Sequence, residues 1–77
     1  MIHGNSIADM MRYGYILMEY SLMLGVWQGI DGSGQRWEVS ESHMERMRWR
    51  VAECNNRIYR CITLDEMAGE RIIPVAP

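Results

Sequence analysis

A chain of 77 residues has room for one small domain spanning 1–77, and a protein of that size buries only about 60% of the surface its unfolded chain exposes, so its core is thin. Hydrophobic residues at 48% and charged ones at 23% exclude the low-hydrophobicity, high-charge balance of a disordered protein. A formal charge of -2 excludes bulk attraction to phosphate backbones, so any nucleic-acid role requires a local basic patch.

The opening residues Met1 to Ser6 lack a basic, apolar leader, which sets the expectation of a cytoplasmic protein. Ser6-Ile7-Ala8-Asp9 is a capping-box variant and predicts a helix starting at Ile7, with Gly25 after Leu24 as its stop. Projected at about 100° per residue, Ile7, Met10, Met11, Leu17, Met18 and Leu22 form an apolar core face. Tyr13, Ile16, Tyr20 and Leu24 form a second apolar face that such a helix must also cover. Residues 13–30 are apolar enough to raise a membrane question, but Glu19 in the middle and Gln28 with Gly29 at the end argue against a span.

Val26 to Ile30 and Gln35 to Val39 flank the turn-forming Asp31-Gly32-Ser33-Gly34, which predicts a β-hairpin able to carry Trp27 and Trp37 on one face. A phosphate-binding loop would open directly onto a helix, and a calcium loop from Asp31 would need Gly at 36 and Glu at 42, where Arg36 and Ser42 stand. Ser40 predicts the cap of a second helix, with Val39 and Met44 as its hydrophobic staple. Met44, Met47, Val51, Cys54, Ile58 and Cys61 recur three and four apart, which predicts that this helix runs on to about Cys61. Thr63-Leu64-Asp65-Glu66 is a further capping box, with Ile62 and Met67 as staple, and predicts a short third helix ending at Ala68 before Gly69. Pro74 confines the tail Arg71 to Val75 to a sheet edge or a packed arm.

The expected class is therefore α+β, mainly α: helix, β-hairpin, long helix, short helix and an extended tail. The rival order is α-β-β-α-β-β, in which Arg57 to Leu64 is a strand paired with the tail.

Cys54 and Cys61, one heptad apart on a helix, would sit roughly 10 Å apart, too far for a disulfide, and are expected as buried free thiols. His43, in the first turn of the second helix, lacks the orienting acid of a catalytic base, and His3 falls in a terminus expected to fray. No catalytic residue, cofactor or metal is expected.

Arg46, Arg50, Arg57 and Arg60 project on one side of the long helix with Trp49 at its margin. All eight basic residues other than His are Arg, whose planar guanidinium suits interfaces. The reading that follows is a non-catalytic protein-binding module. Its partner-binding residues are Arg46, Trp49, Arg50, Arg57 and Arg60, and it forms a homodimer through Tyr13, Ile16, Tyr20 and Leu24. In size and composition the chain is similar to small accessory proteins of phages and mobile elements, which inhibit a host enzyme or defence complex by binding it, as anti-CRISPR proteins do. The alternative is a small nucleic-acid-binding regulator using the Arg-rich helix.

Overall fold

Gly14, at φ +84°, decides the start of the fold: a left-handed residue that only glycine adopts cheaply ends a helix. The first helix, α1 (Ile7–Arg12), stops there and the chain continues as strand β2 (Tyr15–Ser21). The structure, a computed structural model, describes residues 7–69, 72 and 75, and residues 2–4 by their main chain. Ser6 lies outside the described residues. His3, expected in a frayed end, lies in strand β1 (Ile2–Gly4).

The predicted hairpin is present as β3 (Val26–Ile30) and β4 (Arg36–Ser40), with Trp27 paired to Val39 and Gly29 to Trp37. Trp27 and Trp37 consequently share a face. Ser40 caps α2 (Glu41–Arg46), its Oγ accepting from the His43 amide at 3.2 Å.

The long second helix does not form. Met47 turns into extended backbone, and the chain proceeds as β5 (Arg50–Cys54), a two-residue turn at Asn55-Asn56, and β6 (Arg57–Thr63). Both asparagines have positive φ, +54° and +63°, as the commonest two-residue hairpin turn demands. The rival strand over residues 57–64 is close to β6, but among the described residues β6 pairs with β5 and β2; Arg71, Ile73 and Pro74 of the expected tail lie outside the described residues. The third helix, α3 (Leu64–Gly69), begins with the predicted box: Glu66 N donates to Thr63 Oγ1 and Thr63 N to Glu66 Oε2. The mainly helical architecture is thus overturned in favour of a mostly antiparallel sheet with, among the described residues, three short helices. The rival order fails too, since it contains neither β2 nor α3.

Among the described residues the strands form one sheet in the order β1-β5-β6-β2-β3-β4, antiparallel except for β1, which runs parallel to β5. One face packs Met44 and Met47 of the α2 region and Met67 of α3 against Ile16, Met18, Trp37, Val39 and Ile62. The other packs Met10 of α1 against Leu17, Ala52, Cys54, Tyr59 and Cys61. Ile16, Leu17 and Met18 are buried in succession, because this part of β2 has helices over both faces.

β2 also changes partner midway. Residues Tyr15 to Met18 pair with β6, whereas Glu19 to Ser21 pair with β3. The ladder to β6 ends at Met18 and Arg60 although β6 begins at Arg57, so the sheet forks beyond that point.

Candidate interaction surface at the forked end of the sheet

The connection between β2 and β3 is a tight turn of unusual content. Gly25 N donates to Ser21 O at 2.7 Å, Leu24 N to Ser21 Oγ at 3.2 Å, and Gly25 takes φ +67°. These bonds set the backbone and leave Leu22, Met23 and Leu24 pointing outward: Leu22 is 91% and Met23 93% exposed. A turn built from Ser, Gly or Asn costs nothing to solvate, whereas this one exposes three large apolar side chains.

The fork lies directly beside this tip. Where β2 and β6 part, Glu19, Tyr20, Trp27, Arg57, Ile58 and Tyr59 line a cleft of about 390 Å³. Ile58 is 68% exposed on its wall. Arg57 and Glu19 approach to 3.9 Å across it, both exposed. Tyr20 meets Trp27 edge-on at 5.5 Å between centroids and donates through its hydroxyl to Glu41 Oε2 at 3.5 Å.

Arg60 sits behind this wall. Its guanidinium lies 4.4 Å from the Trp27 ring centroid and 4.0 Å from that of Trp49, and pairs with Glu45 at 2.6 Å. With its side chain only 23% exposed, it clasps β6, β3, the segment before β5 and α2 together. Each cation–π contact of this partly desolvated kind contributes on the order of 1 kcal/mol. The Trp27 Nε1 group beneath is buried with no hydrogen-bond partner among the described residues.

The residues expected on one Arg face are dispersed, because no helix carries them. Arg46 is exposed on α2; Trp49 and Arg60 stack on each other. Arg57 stands at the fork, and Arg50 on β5 pairs with Cys61 on β6, on the opposite face of the sheet from Arg60. The expected self-association face is also divided. Ile16 is fully buried, and Tyr13 lies in the turn before β2, a strand's length from Leu24. Tyr20 and Leu24 remain together at the forked end. Leu22, Met23, Ile58 and Glu19 join them there, unnoticed in the sequence because a helix would have placed Leu22 in the core. The pointer to them was Ser21 and Gly25 bracketing an apolar triplet.

Two other features are structural. Asp31, 7% exposed, accepts from Ser33 N and Oγ, Gln35 N and Trp37 Nε1 at 2.6–3.0 Å. Burial pushes its carboxyl upward, but those hydrogen bonds outweigh it and hold the pKa down to about 2. Cys54 and Cys61 are buried free thiols, kept apart by four positions along adjacent strands, and burial raises the Cys61 thiol.

No helix among the described residues is long and apolar enough to cross a membrane. No protein-family model, curated protein or solved structure matches this chain.

Proposed function

We propose that this chain is a non-catalytic protein-binding module whose contact surface is the forked end of the sheet. The observation that carries the reading is the exposure of Leu22 and Met23 on a turn held by Ser21 and Gly25. Covering one such side chain contributes about 1.5–3 kcal/mol, and a tip already held in place loses little conformational freedom on docking. Tyr20, Ile58 and the cleft supply an adjoining apolar floor, and Glu19 and Arg57 a charged rim, the arrangement of a protein-binding patch. A cytoplasmic location belongs to this reading. The inhibition of a host enzyme or defence complex is supported by size and composition. The nucleic-acid alternative loses the helical Arg stripe on which it rested.

Affinity capture from host lysate containing an untagged copy of the chain tests the reading. Tagged wild type is compared with Leu22→Ser/Met23→Ser, a change at exposed positions, and with Arg50→Glu on the far side of the sheet. Retained proteins are expected to be lost with the tip variant and kept with Arg50→Glu. Equal retention by wild type and tip variant overturns the assignment.

A further inference from the structure

We infer that the protein occupying the forked end is a second copy of this chain, in a two-fold dimer in which the Leu22-Met23 tip of each protomer enters the cleft between β2 and β6 of the other. The inference rests on the protein-binding reading and names its partner.

A two-fold interface uses the same patch on both copies, so that patch must be complementary to itself. Few surfaces are, since a protrusion needs a matching recess beside it. Here the protrusion, Leu22 and Met23, follows Tyr20 and Ser21 in the chain, while the recess is lined by Tyr20 itself with Trp27, Ile58 and Tyr59. An axis passing between tip and cleft places each tip over the other copy's cleft. The tip is apolar, the recess offers it Ile58 and the rings of Tyr20, Trp27 and Tyr59 between the charged Glu19 and Arg57, and about 390 Å³ is room for side chains of this size.

The rim is complementary as well. Glu19 on β2 and Arg57 on β6 face each other across the cleft mouth at 3.9 Å, with side chains 55% and 71% exposed. An exposed pair of this kind holds its partners by no more than about 1 kcal/mol. Exchanging two such internal pairs for two pairs across the axis, Glu19 of each protomer with Arg57 of the other, therefore costs little. It would also fix the orientation of the two copies.

Sedimentation velocity across a range of protein concentrations, with circular dichroism to verify folding, tests the inference. Wild type is expected to sediment at twice the chain mass of 9.0 kDa, and Leu22→Ser/Met23→Ser at 9.0 kDa. Glu19→Arg and Arg57→Glu, each alone, place like charges across the axis and are expected to weaken association by about tenfold or more, equivalent to about 1.4 kcal/mol. Mixed in equal amounts they are expected to associate again, because Arg at 19 then meets Glu at 57 and the other pair keeps Glu with Arg. Repulsion within each variant persists in the mixture, so recovery reports the contact between copies alone.

Wild type that stays at 9.0 kDa, single variants that associate like wild type, or a mixture no better than its components each overturn the dimer. If wild type is monomeric while capture from lysate still depends on the tip, self-association falls and the protein-binding reading stands. Loss of both removes both.

Discussion

Asp31 shows how one side chain can organise a loop. Its carboxylate collects four hydrogen bonds from Ser33, Gln35 and Trp37, which favour the charged form strongly enough to overcome burial. Because its folded pKa of about 2 lies below the unfolded value near 3.9, the stabilisation is complete above about pH 5. It is lost as pH falls from about 4 toward 2, and is on the order of 2 kcal/mol. Urea titrations of wild type and Asp31→Asn between neutral pH and pH 2 measure it. Wild type should lose this increment on acidification and Asp31→Asn should lack it from the start. Parallel pH profiles for the two would mean that Asp31 does not hold the turn.

At the scale of elements, the crossing of β2 and β3 depends on a missing side chain. A Cβ at Gly29 would lie 2.5 Å from Met18 Sδ, 2.7 Å from Leu17 O and 2.9 Å from Ile16 Cγ2. The methionine can shift, but the main-chain oxygen of a paired strand cannot. Gly29→Ala is therefore expected to destabilise by about 1–3 kcal/mol, the usual cost of overpacking, read as a lower urea midpoint. A midpoint at or above wild type would show that the two strands are not held this close. The same crossing lets β2 serve β6 with one half and β3 with the other, and so opens the fork where the tip and cleft lie.

Over the whole molecule, helices on both sides of the sheet divide a thin core into two clusters, and Ile72 packs onto one of them, on the α2 and α3 side. Val75 N donates to Arg36 O at 2.8 Å and Val75 O accepts from Gln35 Nε2 at 2.7 Å. These bonds occupy part of the free edge of β4, which would otherwise invite pairing with another chain. A chain ending at Gly69 should lose about 1–3 kcal/mol from the exposed Ile72 contact and unfold several degrees lower, at about 4–8 °C per kcal/mol. An unchanged midpoint would show that the tail contributes no stability.

The features legible in the sequence were those decided within a few residues. Ser40 and the Thr63 to Glu66 box started helices where expected because a cap needs only its own side chain and the next three amides. The turn at Asp31 to Gly34 joined its two strands for the same local reason. Even the Asn55-Asn56 turn was written locally, but the three-and-four spacing of Met47, Val51, Cys54, Ile58 and Cys61 imitated a helix. Tertiary structure decided the rest. The doubly covered Ile16, Leu17 and Met18 carry no alternation that separates strand from helix, and only their burial between α1 on one side and α2 with α3 on the other made them a strand. Once they were a strand, Leu22 to Leu24 left the core for the tip. Ile16 sank inward and Arg50 parted from Arg60, because alternate strand residues face opposite ways and residues three or four apart on a helix do not.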